Sequence, residues 1–367
     1  MKILISNLIL YTSETREVVR ASTIKDTMIY DLCLAFKKEG HDVTLLTAED
    51  YKPTQNEEYP FKVIWAKSKY KKVFMPCVFP YCPETKKIAK DNFDLIISSE
   101  VISMSSLMLV KRAKNHTIIW QELSGHNKIY HGLVSKFWYY VIAKLYFKDV
   151  VIVPRSNQAR EFISQFCNKV VDETIEHGVN SEIFKPNTDK ENFFAVCSRL
   201  VKLKHIDKTI KAFNKYIKKY DNNSKLYIIG DGDCEEKLKA LVNELEINDN
   251  VIFTGRLYHK EMVRILSKAK AMLVYTSRDN NMLSIAESIA LATPVITTTT
   301  PNQSIYIESE KLGIVNDEWN EDDLYEISLN NDEYVNKCLE YSKTIPYEYK
   351  VKQFIDVYNK YLIRKIK

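Results

Sequence analysis

Short, almost wholly apolar runs alternate with longer amphipathic stretches along the whole chain, and few folds accommodate that alternation. In the first half KILISNLI, DVTLLTA, KVIWA, DLIISS, TIIWQE, VVIVP and VVDETIE are expected strands, separated by helical stretches such as residues 24–38 and 101–113. In the second half FFAVC, KLYIIG, NVIFTG, AMLVYT and PVITT alternate with helical stretches at 206–218, 234–245, 260–268 and 284–291. Strands apolar on both faces and spaced by helices belong in parallel sheets covered on both sides. With 367 residues the chain exceeds one ordinary core. The expected fold class is therefore α/β with two doubly wound, Rossmann-like domains, at residues 1–186 and 187–346, followed by an amphipathic helix at 347–367. The polar, proline-containing run PNTDKEN is the expected connection.

Composition excludes several classes. The seven cysteines are an odd, scattered set, and Cys33 and Cys197 sit within apolar runs, which fits core packing in a reducing compartment. The opening MKILISNLIL lacks the long apolar region and small-residue cleavage site of a signal peptide, so it is expected to be a strand. No run approaches the ~20 apolar residues of a spanning helix. These readings predict a cytoplasmic protein.

The segment SRDNNMLSIAESIALATPVITTTT carries the sharpest chemical signal. A helix starting near Met282 would hold Glu287 in its first turns, with Asp279 in the preceding loop beside the open N–H groups of the helix start. Such an end attracts phosphate. Acids in the same pocket would repel phosphate and suit hydroxyls instead, so the pocket is expected to take a sugar joined to a diphosphate. Ile285, Ala286 and Ile289 around Glu287 predict a partly buried carboxylate, which needs partners.

This segment resembles the signature of glycosyltransferase family 4, the retaining GT-B glycosyltransferases also described as glycosyl transferases group 1. That signature has two glutamates separated by seven residues and then a G-T-P-V-like turn into a strand. Here Asp279 stands for the first glutamate, Asn280 and Asn281 for the small loop residues, and A-T-P-V for the turn. Three further segments resemble family elements in the same order: IEHGVNSEIFKP the N-G-V-D…F-x-P element, CSRLVKLKHIDKTIKAF the G-R-L-x-x-x-K-G element, and LYIIGDGDCEEKLKAL with NVIFTGRL the following strand-turn-helix and strand. The resemblance covers the C-terminal half closely and the N-terminal half in outline. It implies a GT-B fold, two Rossmann-like domains facing each other across a cleft, with the last helix crossing back to the first domain.

It also implies roles. Arg199 and Lys204 would clamp the donor diphosphate, where negative charge grows as the glycosidic bond breaks. Glu287 would accept hydrogen bonds from ribose hydroxyls and Asp279 from a donor-sugar hydroxyl. Backbone N–H groups at Asn281, Met282 and Leu283 would meet the sugar or distal phosphate, and Gly230, Gly232, Gly255 and Arg256 would border the nucleotide. On the acceptor side Glu122 and His126 are candidates for handling the acceptor proton or contacting sugar. Asp231 and Asp233 form a D-x-D, discounted as a metal site because it coincides with a turn of a fold whose members generally bind donor without metal. No cofactor and no metal are expected.

The net charge of +5 lies wholly within residues 1–186. There KVIWAKSKYKKVFMP and KIYHGLVSKFWYYVIAKLYFK interleave lysines with aromatic residues, which suits the surface of an anionic membrane and a lipid-linked acceptor. Nucleic acid is disfavoured, since no binding motif accompanies the charge. The expected activity is transfer of a sugar from a nucleotide sugar, UDP-linked, to a glycan or lipid-linked glycan in surface polysaccharide synthesis. The alternatives are a nucleotide-sugar epimerase on the same fold and a non-catalytic GT-B partner subunit.

Overall fold

The computed structural model describes residues 1–11, 17–18, 23–127, 132–279 and 281–363. The chain forms two compact units, residues 1–178 with 347–367, and residues 179–346.

The first unit has a six-stranded parallel sheet of β1 (Lys2–Ser6), β2 (Asp42–Ala48), β3 (Lys62–Ala66), β4 (Leu95–Ser99), β5 (Thr117–Gln121) and β6 (Val151–Pro154), in the order β3-β2-β1-β4-β5-β6. Burial on both faces follows from the apolar runs: β5 is buried at every residue and β2 at all but Asp42. Thr27 starts the helix Met28–Lys38 by accepting a hydrogen bond from the Tyr30 N–H, four residues after the predicted start. The terminal helix Tyr347–Tyr361 belongs to this unit; Phe354 packs against Trp120 and Phe36, with ring centroids at 5.4 and 6.1 Å.

The expected strand VVDETIE does not form. Residue 170 makes one isolated bridge to Ile152, and Val171 and Ile175 donate single backbone hydrogen bonds to Ile152 and Pro154. The segment follows β6 without a continuous ladder.

The second unit has a parallel sheet of β7 (Phe193–Cys197), β8 (Lys225–Ile229), β9 (Val251–Gly255), β10 (Met272–Leu273), β11 (Val295–Thr297) and β12 (Gly313–Val315), ordered β12-β11-β10-β7-β8-β9. Strand β12 was not expected from the sequence; it is only partly buried and short, so its periodicity carries little signal.

The units divide after Gly178 rather than after Pro186. Val179 and Phe184 enter the second core, and the polar run 186–192 expected to connect the units is tied into the second. The Asn187 N–H donates to the Leu291 carbonyl, and the half-buried Lys190 donates from Nζ to the Ser267 carbonyl at 2.7 Å and to Thr293 Oγ1 at 2.8 Å. Lys190 thereby satisfies carbonyl groups where the helices His259–Leu266 and Leu283–Ala290 end.

Candidate functional site

In an open parallel sheet, ligands collect outside the carboxyl ends of the strands where the strand order reverses. In the second unit that point lies between β7 and β10: the chain steps outward to β8 and β9 on one side and to β11 and β12 on the other. A small cleft opens there, lined by Val196, Cys197, Ser198, Lys204, Tyr275 and Met282 among others.

The loop after β7 carries Arg199, exposed, and Lys204, which closes a tight turn at Lys202–Lys204. The loop after β10 carries Asp279. Lys204 Nζ donates to Asp279 Oδ2 at 2.6 Å, and the same oxygen accepts from Thr276 Oγ1 at 2.6 Å. The ion pair is sheltered, with the lysine side chain 11% and the aspartate 21% exposed. Two residues named from the sequence are therefore brought together, but Asp279 is engaged with Lys204 and Thr276 rather than standing open for a sugar hydroxyl.

Gly230 and Gly232 shape this loop from beneath. Their φ values are 140° and 159°, and a Cβ on Gly230 would lie 1.9 Å from the Ser198 carbonyl oxygen, one on Gly232 2.4 Å from that of Leu200. The Leu200 N–H in turn donates to the Asp231 carbonyl at 2.8 Å. These glycines let the loop after β8 pass against the loop carrying Arg199, which is a packing reason for glycine beyond any approach to a nucleotide. Gly255, at φ 68°, has open space at its Cβ position, and Arg256 beside it is exposed.

The helix Leu283–Ala290 begins after Met282, as the sequence predicted within one residue. The expectation that the Met282 N–H faces a ligand is corrected. It donates to Gln303 Oε1 at 3.2 Å, and Gln303 Nε2 donates back to the Met282 carbonyl at 3.2 Å. Gln303, buried in the loop after β11, pins the helix start. Asn281 is half-buried ahead of it and Leu283 is the first helical residue; Asn280 lies outside the described residues.

Glu287 is buried, its side chain 7% exposed, and burial pushes its carboxyl up to about 7. The ring of His259 places Nε2 3.7 Å from Glu287 Oε1. His259 starts the helix His259–Leu266 and packs edge-on against Phe184. Sequence reasoning missed His259, and no local pattern marks it.

The first unit carries its own charged cluster at the carboxyl ends of β4, β5 and β6. Glu122, just after β5, accepts from Arg155 Nη1 at 2.7 Å and lies 3.4 Å from His177 Nε2. Arg155, just after β6, is buried with its guanidinium 3.6 Å above the Trp120 ring. Burial alone would raise the Glu122 carboxyl, but His177, when protonated against the burial that lowers its own pKa, and the Arg155 charge override it and hold the group far below the usual carboxylate range. A carboxylate so held is a poor proton acceptor, which corrects the expectation that Glu122 handles the acceptor proton. It keeps the capacity to accept hydrogen bonds from hydroxyls, being 38% exposed. Glu100, in the left-handed region at φ 68°, accepts the Glu122 N–H at 2.8 Å and the Leu123 N–H at 3.3 Å. Burial pushes its carboxyl up to about 7 against the lowering charge of Arg155.

His126 is corrected more fully. Its ring sits among Tyr139, Tyr140, Phe162 and Phe166, with centroids 5.2–6.1 Å away, and Nδ1 lies 3.2 Å from Ser135 Oγ. Burial lowers its pKa, with Lys136 adding to the effect. It is a member of an aromatic cluster. Among the described residues no group of three or more His, Cys, Asp or Glu side chains is placed to hold a metal ion.

Residues 178–343, nearly the whole second unit, match the family model of glycosyl transferases group 1. The alpha-monoglucosyldiacylglycerol synthase of Streptococcus pneumoniae is 27% identical over 314 residues, covering 78% of this chain and 70% of that protein. Among solved structures, HepE of Anabaena in complex with UDP superposes with a TM-score of 0.67 at 11% identity, covering 98% of this chain and 100% of that one. A glycosyltransferase from Rickettsia africae gives a TM-score of 0.71 at 15% identity, covering 99% and 98%. The fold is GT-B, and the second unit is similar to glycosyl transferases group 1.

Proposed function

We propose that this protein is a retaining glycosyltransferase that moves a hexose from a UDP-sugar to a hydroxyl of a glycan or lipid-linked glycan in surface polysaccharide or glycolipid synthesis. The observation that supports it most is the switch point of the second unit. Arg199 and Lys204 lie in the loop after β7, where Lys204 pairs with Asp279 from the loop after β10, and these residues and Glu287 fall within the segment that matches the family model. Arg199 and Lys204 meet the diphosphate and offset the charge that develops on it as the bond to the anomeric carbon breaks. Glu287 accepts the ribose hydroxyls, and the loops at Gly230–Gly232 and Gly255–Arg256 border the nucleotide. In the first unit Glu122 serves the acceptor as a fixed carboxylate that accepts hydroxyl hydrogen bonds. Donor binding proceeds without a resident metal or other cofactor.

The test is a panel of UDP-, GDP- and ADP-sugars, with and without lipid-extracted acceptors and with and without chelator. Acceptor-dependent release of UDP, unaffected by chelator, with the product's anomeric configuration equal to the donor's by NMR, is the expected result. Conversion of donor without acceptor would mean epimerisation. Donor binding with neither outcome would mean a non-catalytic subunit. Arg199→Ala should lower kcat/KM about 100-fold, the cost of one charge-assisted phosphate contact at a developing charge.

The proposed setting is the inner face of the cell membrane. The helical stretch 133–147 of the first unit exposes Leu133, Phe137, Tyr140, Val141 and Leu145, flanked by exposed Lys136, Lys144 and Lys148. Trp138 from its buried side meets Phe79 edge-on, which joins it to the lysine-rich segment where Tyr70 and Val73 are also exposed. Residues 128–131 of the predicted basic-aromatic segment lie outside the described residues. Apolar and aromatic side chains beside lysines fit the headgroup region of an anionic bilayer. No helix among the described residues is long and apolar enough to cross a membrane. Flotation with phosphatidylglycerol vesicles, and none with phosphatidylcholine, is expected; a Phe137→Ser, Leu145→Ser variant should lose at least about tenfold in vesicle affinity. Equal flotation of that variant would remove this surface from the proposal.

A further inference from the structure

The loops after β7 and β10 are stitched together by hydrogen bonds. The Ser277 N–H donates to the Leu203 carbonyl at 3.2 Å, Thr276 Oγ1 lies 3.3 Å from the same carbonyl, and Thr298 Oγ1 donates to the Thr276 carbonyl at 3.0 Å. This stitching sets the Lys204 ammonium and the Asp279 carboxylate on facing loops at the strand-order reversal. A single oxygen, Asp279 Oδ2, then takes both Lys204 Nζ and Thr276 Oγ1 at 2.6 Å. Thr276 is buried, so it fixes where that oxygen points.

From this geometry we infer that Asp279 is a positioning residue for Lys204: it acts on the diphosphate end of the donor through the lysine ammonium, and not by gripping the sugar. The inference rests on the reading of Lys204 as a diphosphate ligand. A lysine carries its charge on a flexible four-carbon stem, and an unanchored ammonium would be ordered only as the donor arrives. An ammonium has three N–H bonds. Pairing with Asp279 uses one, so the same contact that orients the group leaves it donors for phosphate oxygens. The aspartate in place of the longer glutamate suits this task, because the shorter side chain ends at the lysine. A role exercised through Lys204 is blind to the sugar, so it must show with UDP alone.

The experiment is a double-mutant cycle on UDP and UDP-glucose binding by calorimetry, with Asp279→Asn, Lys204→Met and the pair. Wild-type protein should bind UDP. Asp279→Asn should weaken UDP and UDP-glucose by the same factor, at least about threefold, and should have no further effect in the Lys204→Met background. Thr276→Val, which frees the same oxygen from its second donor, should act in the same direction and keeps the test available if Asp279→Asn does not fold. Unchanged UDP affinity with weakened UDP-glucose would assign Asp279 to the sugar and overturn the inference while leaving the donor site intact. Tighter UDP binding in Asp279→Asn would make Asp279 a competitor of phosphate and would also overturn it. Wild-type protein that binds no UDP would remove the donor-site reading, and the inference with it.

Discussion

Replacing Glu287 with glutamine should cut kcat/KM about 100-fold and, above pH 7, make the protein more stable. Both effects follow from one burial. The native carboxyl keeps its proton up to about 7, against 4.5 for the unperturbed group. Between those values the native state binds more protons than the unfolded chain, so stability falls as pH rises from 4.5 to 7, and the deficit is complete above 7. Glutamine has the same shape and no charge to desolvate. Thermal or urea unfolding should show Glu287→Gln level with wild type near pH 4 and ahead of it at pH 8 by about 2–3 kcal/mol. The same titration reaches binding. A carboxylate accepts two hydroxyls better than a carboxylic acid does, so wild-type affinity for UDP-glucose, whose diphosphate has no group that titrates near 7, should rise with pH through about 7, while the glutamine variant should show no such slope. A variant that loses stability at pH 8 and keeps turnover would mean that Glu287 is an ordinary structural acid.

What the sequence disclosed and what it hid divide along chain distance. Eleven strands were legible because burial leaves continuous apolar runs, whereas short, half-buried β12 was not, and the helix at Glu287 was legible because its start follows a polar loop and its inner face is apolar. Lys204 and Asp279, 75 residues apart, were both named, yet only the fold shows that they are partners. The neighbours that decide protonation were invisible for the same reason. His259 meets Glu287 across 28 residues of chain, and Arg155 meets Glu122 across 33. Gly230 and Gly232 were read as nucleotide-facing from their turn, whereas their tight contacts are with the backbone of the neighbouring loop. His205 shows a further limit: it stands at φ 40°, a left-handed position that glycine occupies at least cost, so a residue-level departure from the family element is absorbed by backbone strain that the letters do not reveal.

In the first unit, Glu122→Ala should cost about 3 kcal/mol of stability, more than Arg155→Met, although both break the same ion pair. The asymmetry comes from where the two partners lie. Arg155 is 7% exposed at its side chain and fixed over Trp120, whereas Glu122 is 38% exposed. Removing the acid leaves a buried guanidinium that cannot reach water, with Glu100 as the remaining carboxylate in its surroundings. Removing the arginine leaves a carboxylate that can turn toward solvent, and methionine refills much of the space beside the indole, so about 1 kcal/mol is expected. The pH dependence separates this account from a loss of packing. Glu122 is held below its ordinary range, so its contribution is complete above the unfolded value near 4.5 and is lost as pH falls toward the depressed native value. The gap between wild type and Glu122→Ala should therefore narrow steadily in urea unfolding as pH falls below about 4, whereas a simple packing defect would keep it constant at every pH. Equal costs for the two substitutions, or a difference that does not shrink in acid, would mean that the pair does not organise this end of the sheet electrostatically.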